Sequence, residues 1–142
     1  MARIKIDLPE KFSFTVKIPV RITDINYGGH VGNDAILSII HEARIKYLAH
    51  LGYSELNIAG IGLIMSDVGI EYKSESFYGD ELTISVAAAE FSKISFELYY
   101  KIETVREGKT ILIAKAKTGM VCYDYKAKKV AVVPEEFVKK AN

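Results

Sequence analysis

Asn33-Asp34-Ala35-Ile36-Leu37-Ser38-Ile39-Ile40-His41-Glu42-Ala43-Arg44-Ile45-Lys46-Tyr47-Leu48-Ala49-His50-Leu51-Gly52 is the stretch that decides the fold. At about 100° per residue, Ile36, Ile39, Ile40, Ala43, Tyr47 and Leu51 fall on one stripe, which predicts an amphipathic helix over 33–51. Asn33 is a good N-cap, and Asp34 puts negative charge in the first turn, where the helix dipole favours it. Gly52 stands where a C′ glycine ends a helix. At roughly five turns, this is the longest helix the chain predicts.

Working outward, the segments on either side read as strands. Residues 12–22 (FSFTVKIPVRI) are rich in β-branched and aromatic side chains, and Pro19 among them marks an edge or a bulge. The turn Asn26-Tyr27-Gly28-Gly29 joins this strand to the helix. Beyond Gly52, the runs 61–74, 81–91, 94–103 and 110–125 read as long strands. In 94–103, Ile94, Phe96, Leu98, Tyr100 and Ile102 alternate with Ser95, Glu97, Tyr99 and Lys101. Period two with one apolar face predicts an antiparallel sheet covered on one side. Short joins at Tyr78-Gly79-Asp80, Ser92-Lys93 and Glu107-Gly108-Lys109 fit hairpins and turns. Pro134-Glu135-Glu136 opens a short closing helix, with proline in its first turn.

One long helix is the only element available to cover the apolar face of such a sheet. The expected class is therefore α+β: a curved antiparallel sheet of five to six strands wrapped around a central helix. Nothing resembles a linker, so 1–142 reads as a single domain.

Composition narrows the function classes. The 19 Lys and Arg nearly balance the 18 Asp and Glu and are scattered, which gives no electrostatic footprint for nucleic acid or an anionic membrane. The N-terminal residues carry neither a signal peptide nor a membrane span, so a cytoplasmic location is expected. Cys122, the one cysteine, lies in a strand-like run and reads as a buried structural thiol. His30, His41 and His50 make no recognisable ligand set with it, so no metal is expected.

The segment Arg21-Ile22-Thr23-Asp24-Ile25-Asn26-Tyr27-Gly28-Gly29-His30-Val31-Gly32-Asn33-Asp34-Ala35 resembles the N-terminal signature of hotdog-fold acyl-CoA thioesterases of the 4-hydroxybenzoyl-CoA type. That signature often runs R-x-x-D-x-D-x-x-x-H-V-N-N-A and is followed by a helix with an E-x-x-R-like stretch. His41-Glu42-Ala43-Arg44, Gly69-Ile70-Glu71-Tyr72 and Tyr78-Gly79-Asp80-Glu81-Leu82 extend the resemblance over nearly the whole chain. The resemblance implies a hotdog fold, an acyl-CoA substrate with no further cofactor, and a site between two subunits at the helix N-terminus. There an acidic residue of the turn attacks the thioester or activates water. The first free helical N–H, carried over to Asn33, polarises the carbonyl, as unpaired donors at a helix start can do. Gly28 and Gly29 would let the backbone pass close to substrate, and Tyr27 and Val31 complete the substrate-contacting turn.

The chain departs from that pattern at its second acidic position, which is Asn26; an amide is no carboxylate nucleophile or base. Three residues can compensate. Asp24 points to the same side as Asn26, about 7 Å away in an extended segment, though it can equally hold the turn by accepting backbone N–H groups. His30 lies in the same turn and carries an imidazole, a side chain suited to act as a base. Glu42 lies about two and a half turns into the helix, off the apolar stripe, and its spacing from Lys46 also suits a surface ion pair. Asp67 interrupts a hydrophobic run and is expected at a site or interface, reaching the pocket from the facing subunit. Lys73, Lys93 and the Lys126, Lys128, Lys129 cluster are candidates for the coenzyme A phosphates. Hydrolysis is the first expectation, in a dimer or a tetramer. The alternatives are a hydratase, from the grouping Asp24-x-Asn26-x-x-x-His30, and a non-catalytic acyl-CoA-binding module.

Overall fold

The alternation along 94–103 is realised as a strand whose Phe96, Leu98, Tyr100, Ile102 and Thr104 are all buried while the intervening side chains are partly open. In a computed structural model, which describes residues 2–142, it is one of six strands. The order along the chain is β1 (Phe14–Pro19), a single 3-10 turn (Ile22–Asp24), α1 (Asn33–His50), β2 (Gly62–Tyr72), β3 (Glu81–Ala89), β4 (Ser95–Arg106), β5 (Lys109–Asp124), β6 (Lys129–Val130) and α2 (Glu135–Ala141). The sheet runs β1-β3-β4-β5-β2, with β6 on β5. Every pairing is antiparallel.

Helix α1 lays Ile36, Ile39, Ile40, Ala43, Tyr47 and Leu48 against the apolar face of this curved sheet. This is the hotdog arrangement. Ile40, Tyr47 and Leu48 are fully buried, and each apolar side chain so removed from water contributes about 1.5–3 kcal/mol. Cys122 joins the same core, and burial alone pushes its thiol up to about 11, which leaves it a packing residue.

The two sheet edges differ. The six-residue β1 ends at Pro19, whose missing N–H is harmless at an edge. The other edge, β2, is eleven residues long and exposes Ile64, Met65 and Val68. The chain before β1 runs over the outer face of the sheet, where the Ile6 N–H donates to Glu71 Oε1 at 3.1 Å and Lys101 lies over the Phe12 ring.

Several boundaries differ from the pattern reading. Strand β1 stops at Pro19 because the chain turns into the 3-10 segment. Gly32, not Asn33, caps α1, so the helix starts one residue earlier than an Asn33 cap would set it; the Gly32 N–H is drawn back to the Asp24 carbonyl at 3.0 Å. Asn33 is then the first helical residue, and its amide remains a free-end donor. At the other end Leu51 is the cap and Gly52 takes φ +90°, while the Tyr53 N–H reaches back to the Leu48 carbonyl at 2.8 Å. Pro134 caps α2 from just outside it.

Candidate active site

The turn before α1 is closed by a ladder of short-range bonds. The Asn26 N–H donates to the His30 carbonyl at 2.9 Å, and Gly29 N–H donates to the Asn26 carbonyl at 3.1 Å. The Asn26 side-chain oxygen accepts the Gly28 N–H at 2.9 Å, an Asx turn. Gly29 sits at φ +85°, a conformation that favours glycine. Tyr27, at the tip, is wholly exposed.

Asp24 is turned away from this tip. Its carboxylate accepts the Arg21 N–H at 2.8 Å and the Arg21 guanidinium at 3.2 Å. It is 5% exposed. Of its two sequence readings, the geometry matches the one that holds the turn together.

His30 faces the other way, into a cleft of about 200 Å³ at the start of α1. Its Nδ1 lies 3.2 Å from the Val31 carbonyl oxygen. A carbonyl can only accept, so Nδ1 is the donor in this contact and Nε2 is the nitrogen left to face a reacting group. Val31, Asn33 and Ile36 complete this wall of the cleft, Ile113 of β5 adds an apolar side, and Tyr72 to Ser76 form the opposite rim. The Val31 N–H donates to the Ser76 carbonyl at 2.8 Å, which fixes that rim against the turn. The amides of Asn33, Asp34 and Ala35 meet no acceptor among the described residues. They are unpaired donors at the positive end of the helix, and Asn33 among them lines the cleft.

Asn26 stands beside this pair. A methyl group on Gly28 would lie 3.2 Å from Asn26 Oδ1 and 3.4 Å from His30 Nε2, so the glycine preserves clearance around the base. The chain therefore brings His30, Val31 and Asn33 together in the cleft, with Asn26 and Gly28 at its margin. It does not bring Glu42 or Asp67 there within one chain. Glu42 lines a separate groove between β1 and α1, 3.9 Å from Lys46 in an exposed pair. Asp67 sits at a bulge in β2, where its carboxylate accepts the Gly119 N–H at 2.9 Å and the Lys117 ammonium at 3.0 Å.

Three residues of the far rim were not foreseen as site residues. Tyr72 donates its hydroxyl to the Asn33 carbonyl at 3.2 Å, and its pKa is raised by burial and then by the nearby Asp34 charge. Glu75 Oε1 lies 3.9 Å from His30 Nε2. Ser76 supplies the carbonyl that receives Val31. Lys73, a phosphate candidate from sequence, does line the cleft, paired with Glu71 at 2.6 Å. The only sequence signal for this rim is the polar run Lys73-Ser74-Glu75-Ser76 between two strands, which reads simply as a loop.

An imidazole with one nitrogen left over, in one cleft with the unpaired Asn33 amide, can deprotonate a water and stabilise the tetrahedral oxyanion formed from a carbonyl. Comparison with known proteins agrees with that chemistry. Residues 20–141 match the family model of the thioesterase-like superfamily. The chain belongs to that superfamily. It is 30% identical over 132 residues to 1,4-dihydroxy-2-naphthoyl-CoA hydrolase of Nostoc punctiforme, spanning 89% of this chain and 84% of that protein. It is 31% identical over 125 residues to the protein of the same name from Acaryochloris marina, spanning 84% and 88%. Among solved structures, this thioesterase-like chain superimposes on a 1,4-dihydroxy-2-naphthoyl-CoA thioesterase from Synechocystis with TM-score 0.79 at 24% identity, covering 90% of this chain and 94% of that one. It superimposes on 4-hydroxybenzoyl-CoA thioesterase from Pseudomonas sp. strain CBS-3 with TM-score 0.80 at 19% identity, covering 92% and 99%. At such identities the superpositions establish the shared fold.

Proposed function

We infer that this protein hydrolyses an acyl-coenzyme A thioester to the free acid and coenzyme A. The observation that carries the reading is His30 Nε2, left over by the Nδ1 contact, in the same cleft as Asn33, whose amide has no acceptor among the described residues. Water would give its proton to His30, the Asn33 N–H would take the developing oxyanion, and Asn26 would orient the water or the thioester. Membership of the thioesterase-like superfamily supports the same reaction.

The hydrolases it resembles act, by name, on a bicyclic aromatic acyl group. An aromatic acyl-CoA is accordingly the substrate class we favour, with Val31, Ile36 and Ile113 as its apolar contacts. The hydratase alternative is not favoured: it needs the Asp24 carboxylate beside His30, and that carboxylate is engaged by Arg21.

A second copy would complete the molecule. Strand β2 offers unpaired backbone and exposed Ile64, Met65 and Val68 along one edge, which suits pairing with another β2. Antiparallel pairing about Asp67 would set Gly62 of each copy opposite Tyr72 of the other. Lys126, Lys128 and Lys129 follow Tyr123, the β5 residue opposite Gly62, so they would then approach the other copy's cleft as phosphate contacts.

The test is release of free thiol from a panel of short, long and aromatic acyl-CoAs. Aromatic substrates should be hydrolysed fastest. Acyl-CoA binding without thiol release from any of them would refute the hydrolase reading.

A further inference from the structure

The turn carries Asn26 where related signatures carry a carboxylate, yet the cleft contains a carboxylate from elsewhere. Glu75 stands on the β2–β3 connection, 42 residues after Asn33, with Oε1 3.9 Å from His30 Nε2. Its backbone is not loose. The Glu75 carbonyl accepts the Arg106 guanidinium at 2.7 Å, and the next carbonyl, that of Ser76, accepts the Val31 N–H at 2.8 Å. Arg106 is itself held by the Asp80 carboxylate at 2.6 Å and lies over the Phe77 ring at 5.0 Å. The connection is thus fastened to β4 on one side and to the catalytic turn on the other.

We propose that Glu75 is the positioning carboxylate of a His30–Glu75 pair, replacing the turn carboxylate that Asn26 does not provide. This rests on the hydrolase reading above. At 3.9 Å Oε1 is beyond hydrogen-bond distance of Nε2, so that nitrogen stays open to water while the carboxylate charge lies close enough to stabilise an imidazolium. The other charged groups around the imidazole leave that role open. Asp24 is engaged by Arg21, Lys73 by Glu71, Asp34 belongs to the first turn of α1, and Tyr72 bonds to Asn33.

The proton balance gives Glu75 a defined part. Water forms the new C–O bond as its proton passes to His30 Nε2, producing an imidazolium beside the Glu75 carboxylate. The oxyanion rests on the Asn33 N–H. When it collapses, the C–S bond breaks, and the imidazolium proton goes to the departing sulfur. The products are the acid and the coenzyme A thiol. Glu75 neither gains nor loses a proton. It stabilises the charged imidazole formed between the two transfers, so its removal slows turnover without weakening substrate binding.

The experiment is thiol release by the full chain carrying Glu75→Gln, Glu75→Asp, His30→Ala, and Glu75→Gln combined with His30→Ala. Its substrate is the acyl-CoA that the wild type hydrolyses fastest. The expected result is a fall in kcat of about tenfold or more for Glu75→Gln with KM little changed. Glu75→Asp should restore part of the rate. Loss of the carboxylate should move the acid limb of the kcat profile to lower pH, because the imidazolium loses its counter-charge. In the His30→Ala background Glu75→Gln should have no further effect. Wild-type kcat and an unmoved acid limb in Glu75→Gln would overturn the pair while leaving the hydrolase reading standing. No thiol release by the wild type would overturn both.

Discussion

The Asp24 carbonyl oxygen receives the Gly32 N–H at 3.0 Å, so the two ends of the turn that carries His30 are tied immediately before the helix begins. The Asp24 carboxylate closes the same knot by holding Arg21. Asp24→Ala should therefore cost about 1–3 kcal/mol of stability, read by urea denaturation, and slow hydrolysis without abolishing it. Unchanged stability with abolished thiol release would instead make Asp24 a catalytic group.

Two charged residues of α1, Glu42 and Arg44, should respond oppositely to substitution. Arg44 is buried; its Nε donates to Glu55 at 2.9 Å and its Nη1 to the Tyr100 hydroxyl at 3.3 Å, and that hydroxyl also contacts Thr118. Arg44→Ala should destabilise by about 3 kcal/mol or more, since it strips a partner from groups buried with it. Glu42→Gln removes only an exposed pair with Lys46 and should change stability by less than about 1 kcal/mol, with thiol release retained.

Tyr47 is fully buried and its hydroxyl finds no hydrogen-bond partner among the described residues. Burial, followed by the neighbouring Tyr100, pushes its pKa up to about 12. Tyr47→Phe deletes an unsatisfied polar atom while keeping the ring, which packs edge-on against Phe14. The variant should match or exceed wild-type stability in thermal unfolding.

Asp80 links the cleft to acid stability. The Arg106 guanidinium, with smaller help from the Phe77 N–H and the Ser76 hydroxyl, holds the Asp80 carboxyl below its ordinary value. A carboxylate depressed by folding adds stability above its unfolded pKa, about 3.9, and loses it as pH falls through the folded value. The Tm difference between wild type and Asp80→Asn should therefore be full at neutral pH and shrink below about pH 4. Because Arg106 also holds the Glu75 carbonyl, the variant should turn over more slowly at neutral pH.

The fold was legible because its signals are local. The 3.6-residue stripe from Ile36 to Leu51, the alternation from Phe96 to Ile102 and the edge proline Pro19 each declare their element within a few residues. The burial of Arg44 was not legible, since its partners Glu55 and Tyr100 come from other segments, and Tyr100 is in turn bonded to Thr118 of a further strand. The site divided in the same way. His30 and Asn33 follow from one continuous turn, whereas Glu75 is held at the cleft by long-range bonds, from Val31 to Ser76 and from Arg106 to Glu75 itself. The same limit applies to Asp24: its carboxylate's choice between Arg21 and the cleft is a matter of side-chain direction, which residue spacing leaves open.

Steady-state thiol release by the wild type and by His30→Ala decides whether His30 is the base of an acyl-CoA hydrolase. The wild type should release coenzyme A, and His30→Ala should lose about 10²–10⁴ in kcat with the folded state and KM little changed. Undiminished turnover in His30→Ala, or no thiol release by the wild type from any acyl-CoA, would contradict that role.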